Sequence, residues 1–338
     1  MGPLAILKSP LPSGTTQGMS RSTKTRTFGS SRREGHDSSP FYHQKLYAGR
    51  PSAPVTRQPE NAVPGAFLDQ VIRMDARKME GLPDRSIHLM VTSPPYNVGK
   101  DYDRDLDLGE YRALLKDVFG ETYRVLVDGG RACVNIANVG RKPYIPYHRF
   151  IIDAMEEIGF LMRGEVIWDK GAGAGVSTAW GSWRSPSNPT FRDVHEYILV
   201  FSKGQFGRRV EGGKATITSE QFVAWTKSIW SFSPESATRV GHPAPFPVEL
   251  PSRLIRLFTY EGEVVLDPFC GVGSTCVAAA TLNRHYVGMD LVEDYVQAAR
   301  ERIRRALSSG NSADSAPPRA PLRKKRAEGI PVDDTRER

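Results

Sequence analysis

The clearest indication of the fold is the sequence Val264-Val265-Leu266-Asp267-Pro268-Phe269-Cys270-Gly271-Val272-Gly273-Ser274-Thr275. It begins as an apolar strand, continues through a turn with two glycines, and ends in the serine and threonine that favour a helix start. Glycines let the backbone approach a ligand closely, and the N-terminus of a helix offers free N–H groups. The stretch therefore predicts a strand, turn and helix that bind a ligand at the carboxyl end of the strand.

Asp290 indicates that this ligand contains a nucleoside. It follows the next predicted strand, where a carboxylate can accept hydrogen bonds from both ribose hydroxyls. The alternative is a dinucleotide, as in dehydrogenases. That fingerprint requires a third glycine, and Cys276 stands in its place. A dehydrogenase is disfavoured without being excluded.

Strands and helices alternate outward from this unit, starting at about residue 67. Predicted strands lie at 87–91, 132–136, 161–168, 197–201, 264–266 and 286–289, and predicted helices at 111–126, 150–158, 250–258, after 273, and at 293–307. The segments 161–168 and 197–201 are candidates for an antiparallel pair. We therefore expect an α/β fold of Rossmann-like type, with a mostly parallel sheet, one antiparallel strand and helices on both faces.

The residue composition differs between the centre of the chain, which we expect to fold, and its two polar ends. The chain has 338 residues, of which 39% are hydrophobic, enough to bury a sizeable core. Residues 1–60 and 308–338 are polar and lack apolar periodicity, so we expect a disordered basic N-terminal extension and a disordered charged C-terminal tail. These ends account for the net charge of +8 and leave the domain at 61–307 neutral.

Cysteine usage and hydropathy limit the function classes further. The three cysteines show no metal-ligand spacing, so we expect no metal site and no disulfide framework. No apolar run reaches the roughly 18 residues of a membrane helix. We expect a cytoplasmic protein that does not bind a membrane.

A second motif, Thr92-Ser93-Pro94-Pro95-Tyr96, follows the strand at 87–91. Methylation of an aromatic amine requires acceptors that draw the amine lone pair out of conjugation. The side chain of Ser93 and the carbonyl of Pro94 could be those acceptors, in a turn held rigid by Pro94 and Pro95. Tyr96 offers a face on which an extruded base can stack. The cytosine-C5 route needs a cysteine nucleophile beside the turn, and none is present.

With these two motifs, the chain resembles the amino-group DNA methyltransferases of prokaryotes and their viruses, over about residues 67–306. The resemblance implies a class I methyltransferase fold in the permuted β-like motif order, with the catalytic motif before the cofactor motif. It implies S-adenosylmethionine as cofactor and, because Ser93 opens the catalytic motif, N4 of cytosine as the target. N6-adenine methylation is the alternative, and an RNA or protein-amide methyltransferase is the alternative from another class.

The two motifs, their neighbouring residues and the resemblance together give the predicted site residues. The predicted catalytic residues are Ser93, Pro94, Pro95 and Tyr96. The predicted cofactor-binding residues are Asp75, Pro243, Phe246, Asp267, Pro268, Phe269, Gly271, Gly273, Ser274, Thr275 and Asp290. For Asp75 the N-cap of a helix at 76–79 is an equally open reading. Pro243 and Phe246 belong to a stiff proline-rich segment that could form a wall of the pocket.

The resembled family places its target-recognition segment between the catalytic strands and the cofactor half. The resemblance therefore implies that the long irregular, locally basic region at 170–240 is the target-recognition insertion. Its candidate DNA-binding residues are Trp183, Arg184, Arg192, Arg208 and Arg209. We expect double-stranded DNA as partner, hence association with the nucleoid. A cognate restriction endonuclease and a homodimer are further candidate partners. His195 and Glu196 are expected to form structural hydrogen bonds.

Overall fold

The computed structural model describes residues 44–47, 59–96, 106–171, 180–208, 210–235 and 246–309. The chain divides into two compact units, residues 1–52 and 53–338. In the first unit the described residues form one 3-10 turn at Lys45–Tyr47.

The second unit contains a sheet and its helices. The described strands are β1 (Gln70–Arg73), β2 (Ile87–Thr92), β3 (Leu126–Ile136), β4 (Phe160–Asp169), β5 (His195–Lys203), β6 (Ile229–Ser231), β7 (Val264–Asp267) and β8 (His285–Asp290). The described helices are α1 (Leu108–Val125), α2 (Tyr147–Ile158), α3 (Ser219–Trp225), α4 (Glu249–Phe258), α5 (Ser274–Thr281) and α6 (Glu293–Ser309).

These strands form a single eight-stranded sheet in the order β1-β8-β7-β2-β3-β5-β4-β6. Strand β5 runs antiparallel to both of its neighbours, β3 and β4, and all the other pairs are parallel. The predicted fold class is therefore confirmed, including the antiparallel pair formed by β4 and β5.

Alternating side chains of the central strands build a core on each face of the sheet. In β2, Met90 packs into a cluster with helices α1 and α2, whereas Leu89 and Val91 pack into a second cluster with α4 and α5. In β7, Leu266 and Val265 divide in the same way. Successive residues of a strand point to opposite faces, so strands that are apolar throughout need helices on both sides.

Local signals set the ends of the two helices that flank the first half of the sheet. Asp107 and Glu110 form a reciprocal capping box at the start of α1. Gly159 ends α2 in the left-handed conformation, with φ 111°, as its position in the sequence predicts.

Four elements differ from the sequence prediction. Strand β1 lies at Gln70–Arg73, where no strand was predicted. Strand β3 begins at Leu126, so Asp128-Gly129-Gly130 lies inside a strand rather than in a loop. Helix α3 and strand β6 occupy part of the 202–240 stretch that was expected to be irregular. With seven and three residues, they are too short to show a clear apolar period.

None of the helices formed by the described residues combines the length and apolar character needed to cross a membrane.

Candidate active site

A cavity of about 410 Å³ lies at the carboxyl ends of β1, β8, β7 and β2, which are neighbours in the sheet. The residues at or just after each strand end line it: Asp75, Asp290, Pro268 and Ser93. Parallel strands all end at one edge of the sheet, so segments far apart in the sequence meet there. Helix α1 contributes Tyr111 and Leu114, among others, to the same wall.

The turn Ser93–Tyr96 borders the cavity with all four of its residues. Ser93 Oγ donates a hydrogen bond to the Tyr96 hydroxyl (3.4 Å), and that hydroxyl donates to Glu196 Oε2 (3.3 Å). Burial raises the pKa of Tyr96 well above its ordinary value, and the nearby Glu196 charge adds to the effect. The Tyr96 hydroxyl therefore keeps its proton at neutral pH.

The Glu196 carboxylate also contacts one side chain from β3 and one from the residue that follows β4. Asn135 of β3 donates its amide Nδ2–H to Glu196 Oε2 (2.6 Å), and Lys170, directly after β4, forms an ion pair with Glu196 Oε1. Glu196 is buried, with 7% of the residue exposed. The expectation of structural hydrogen bonds at Glu196 is confirmed. Its link to Tyr96 could not be foreseen, because the two residues are distant in sequence.

Asp267 lies behind the cavity and joins the two motifs. Its Oδ1 accepts a hydrogen bond from Thr92 Oγ1 (2.6 Å) and another from the backbone N–H of Phe269 (3.2 Å). Its side chain is fully buried, and no described residue is a partner for Oδ2. Burial raises the pKa of Asp267 to about 6, while hydrogen bonds, chiefly from Thr92, oppose the rise. This carboxylate fixes the catalytic strand against the glycine turn.

Asp290 faces the cavity at the end of β8. Its Oδ2 accepts from the backbone N–H of Gly271 (2.8 Å), and its Oδ1 accepts from that of Val292 (2.9 Å). Burial raises the pKa of Asp290, while backbone hydrogen bonds from Val292, Gly271 and Leu291 lower it. The carboxylate is thus held in one orientation, with remaining lone pairs available to a ligand.

Asp75 also lines the cavity and pairs with Arg77, at 2.5 Å between Oδ2 and Nη2. Asp75 Oδ1 accepts the backbone N–H of Arg77 (3.0 Å) in a turn, and no helix follows it. Between the two readings of Asp75, the structure therefore favours a pocket residue over a helix cap.

The remaining predicted cofactor residues fall into three groups. Pro268, Phe269 and Gly271 line the cavity. A second group supports the cavity from behind and comprises Gly273, Ser274, Thr275 and Phe246. At Gly273 (φ 81°) there is no room for a side chain, because a Cβ would lie 2.9 Å from Ala299 Cβ. Thr275 Oγ1 donates a hydrogen bond to the Val91 carbonyl (3.2 Å), and Ser274 Oγ donates one to the Phe246 carbonyl (2.9 Å). The Phe246 side chain is buried in the core rather than in the cavity wall. Pro243 lies outside the described residues.

Arg208 requires a correction. It was predicted to contact DNA, but its side chain is about 10% exposed and bonds Glu263 Oε2 at 2.6 Å. Glu263 directly precedes β7, at the opposite edge of the sheet from the cavity. A buried cation needs a buried partner, and this arginine therefore stabilises the fold instead of meeting phosphate. Arg209 lies outside the described residues.

Aromatic and basic side chains mark the segment between β4 and β5. Because β4 is parallel to β3, this segment leaves the sheet at the edge where the cavity lies. The Arg192 guanidinium lies 3.7 Å from the centroid of the Trp180 ring, which contacts Trp183 edge-on. Trp183 is 66% exposed, and Arg184 adopts a positive φ of 52° in a short hairpin closed by the Gly181–Pro189 bridge.

Comparison with known proteins decides the family. The profile of the DNA methylase family, which comprises N6 and N4 methyltransferases, matches residues 87–301, a range that includes both motifs. The chain belongs to this family. The Type II methyltransferase M.MjaI of Methanocaldococcus jannaschii is 32% identical to this chain, in an alignment that covers 69% of this chain and 90% of that protein.

Solved structures agree with this assignment. A candidate DNA modification methylase of Thermus thermophilus, in complex with S-adenosyl-L-methionine, is 32% identical, covers 70% of this chain and 93% of its own, and superposes with a TM-score of 0.58. The cytosine-N4-specific PvuII DNA methyltransferase, at 21% identity and TM-score 0.56, covers 71% and 90% and shows the shared fold. The predicted family, its class I fold and S-adenosylmethionine as cofactor are confirmed. This DNA methylase is an amino-DNA methyltransferase.

The residues at the cavity fit that cofactor. Asp290 presents an oriented carboxylate of the kind that binds a ribose, and Gly271 (φ 50°) leaves backbone surface free of a side chain beside it. The unpartnered Asp267 Oδ2 is a buried acceptor directly behind the same glycine turn.

Proposed function

We propose that this chain transfers a methyl group from S-adenosylmethionine to N4 of a cytosine in double-stranded DNA. One observation carries the proposal: the Ser93–Tyr96 turn and the Asp290 carboxylate line the same cavity. The proposed role of the Ser93–Tyr96 turn is to activate the amine, and that of Asp290 is to bind the nucleoside of the methyl donor. Because both line one cavity, the donor and the amine can meet there.

The chain's own groups activate the amine. When bound, the cofactor would supply an electrophilic methyl group on a sulfonium. Transfer would break the sulfur–methyl bond and leave a neutral thioether, and the methylated amine would lose one proton to solvent. In the proposed mechanism Ser93 Oγ and the Pro94 carbonyl accept hydrogen bonds from the N4 amine, which shifts its lone pair out of the ring and toward the methyl carbon. Pro94 and Pro95 hold both acceptors in position, so little reorganisation accompanies transfer. The Tyr96 ring stacks on the extruded base.

The other predicted residues take roles according to their positions. Asp290 binds the ribose hydroxyls, and Asp75 contacts the adenine, with Pro268 and Phe269 as walls. Asp267, Gly273, Ser274, Thr275 and Phe246 keep the glycine turn in place through the contacts described above.

The choice of cytosine rests on Ser93. Serine at the first motif position accompanies N4-cytosine methylation in the resembled family, whereas aspartate or asparagine accompanies N6-adenine methylation. N6-adenine is the alternative product.

In the proposed function, the hairpin between β4 and β5 contacts the DNA. Trp183 is exposed, and Arg184 and Arg192 supply positive charge at the sheet edge that holds the cavity. Such aromatic and basic pairs suit stacking on bases and contact with phosphate. Within the predicted domain at 61–307, we therefore assign the recognition role of the 170–240 insertion chiefly to its described residues 180–194, which precede β5. A homodimer and a cognate restriction endonuclease stay predictions.

The test is the identity of the product. Purified protein is incubated with unmethylated duplex DNA and labelled S-adenosylmethionine, and the DNA is digested to nucleosides and separated. We expect labelled N4-methyldeoxycytidine. Labelled N6-methyldeoxyadenosine alone would overturn the cytosine assignment, and label on RNA or protein but not on DNA would overturn the choice of substrate. A Ser93→Ala sample is the control for a contaminating methyltransferase.

A further inference from the structure

Two hydroxyl groups and one carboxylate form a directed hydrogen-bond chain that starts at the cavity wall. Ser93 Oγ lies 3.4 Å from the Tyr96 hydroxyl, and that hydroxyl lies 3.3 Å from Glu196 Oε2. Each hydroxyl has one proton to donate, so the direction of the chain is set by its end group.

That end group, the Glu196 carboxylate, is held in place by donors on both of its oxygens. Lys170 forms an ion pair with Oε1, and the Asn135 amide donates to Oε2 at 2.6 Å. An ionised carboxylate only accepts hydrogen bonds. Tyr96 must therefore donate its proton to Glu196, and its oxygen is left to accept the proton of Ser93.

The consequence falls on Ser93. A serine hydroxyl that donates to Tyr96 presents lone pairs alone to anything on its other side. The amine of a target base offers only N–H donors once its lone pair turns to the methyl carbon. The orientation of the chain thus matches Ser93 to its proposed role as an acceptor.

We infer that Glu196, acting through Tyr96, is a positioning residue that fixes Ser93 as a hydrogen-bond acceptor toward the target amine. This inference rests on the role proposed for Ser93 above. Lys170 and Asn135 take part by holding Glu196 in place, which joins β3, β4 and β5 to the catalytic turn.

The test is a double-mutant cycle between Glu196→Gln and Tyr96→Phe, with kcat and KM measured for duplex DNA and for S-adenosylmethionine. Glutamine carries donors as well as an acceptor, so it leaves the Tyr96 proton without a fixed direction. Phenylalanine keeps the ring and removes the hydroxyl. We expect Glu196→Gln to lower kcat about tenfold, the effect of one charge-assisted hydrogen bond, with each KM changed less than about twofold. In the Tyr96→Phe background the same substitution should change kcat less than about twofold.

Glu263→Gln is the matched control. Glu263 is a buried carboxylate in an ion pair with Arg208 at the opposite edge of the sheet. Its loss should lower Tm and leave kcat unchanged below the unfolding transition. This variant separates a general loss of stability from a loss of Ser93 positioning.

The outcomes divide cleanly. If Glu196→Gln lowers kcat equally in both backgrounds, or has no effect on kcat, the inference is overturned. If Ser93→Ala retains full activity, the proposed function of the turn fails first. If Ser93→Ala is inactive while Glu196→Gln is fully active, the inference alone fails.

Discussion

Asp267→Asn should be more stable, relative to the wild-type protein, at neutral pH than at acid pH. The Asp267 carboxylate is fully buried, and its pKa is raised from 3.8 to about 6 by burial. Asparagine keeps the Oδ1 acceptor used by Thr92 and by the Phe269 N–H. The substitution removes the buried charge and leaves the geometry of the turn unchanged.

The magnitude follows from proton linkage. The folded state binds the Asp267 proton more tightly than the unfolded state, so ionisation costs folding free energy as pH rises above the unfolded value. A rise from 3.8 to about 6 corresponds to about 3 kcal/mol at about pH 7.5 and about 1 kcal/mol at about pH 4.5. The unpartnered amide N–H of asparagine adds a cost that does not depend on pH. The diagnostic quantity is therefore the change of about 2 kcal/mol between the two pH values.

The assay is urea unfolding of both proteins at the two pH values, without S-adenosylmethionine, because bound ligand adds its own stabilisation. Asp84→Asn is the control of opposite sign: a hydrogen bond from Arg124 lowers the pKa of Asp84, so its contribution is present at neutral pH and is lost on acidification. A stability difference between Asp267→Asn and wild type that is the same at both pH values would refute the reasoning.

Three further predictions concern the site. Ser93→Ala should lower kcat roughly a hundredfold, because one preorganised acceptor is lost, with S-adenosylmethionine affinity nearly unchanged by calorimetry. Asp290→Ala should weaken S-adenosylmethionine binding at least about tenfold, because a carboxylate facing the cavity is removed; the reverse pattern in these two variants would contradict the assigned roles. Arg192→Ala should weaken DNA binding and reduce its salt dependence, whereas Arg208→Ala should lower Tm, by leaving Glu263 buried without its partner, and spare DNA affinity. If Arg208→Ala and Arg192→Ala lost DNA affinity equally, Arg208 would contact DNA and the structural role assigned to it would be wrong.

Much of the fold and both motifs could be predicted from local patterns. The run from Val264 to Thr275 shows its strand, turn and helix in order, because apolar runs, glycines and capping residues act on their immediate neighbours. Gly159 ends its helix for the same reason. Asp290 could be placed at a strand end because strand length and spacing are local properties.

The predictions that were wrong or incomplete concern residues whose partners are distant in sequence. Arg208 and Arg192 are the same residue type in one basic region. Arg208 forms a buried ion pair and Arg192 a half-buried stack on Trp180, because the two arginines lie at opposite edges of the sheet. Phe246 stands in a promising proline-rich segment, yet its side chain packs into the core.

The sequence by itself determined the class of chemistry, because the residue types in the Ser93–Tyr96 turn and the glycine turn limit which reactions they can support. The tertiary structure decided which groups cooperate. The Asp267 bond to Thr92, the shared cavity of Ser93 and Asp290, and the Glu196 contact with Tyr96 each join residues about a hundred or more positions apart. Such contacts follow from the order of strands in the sheet, which local sequence patterns do not encode.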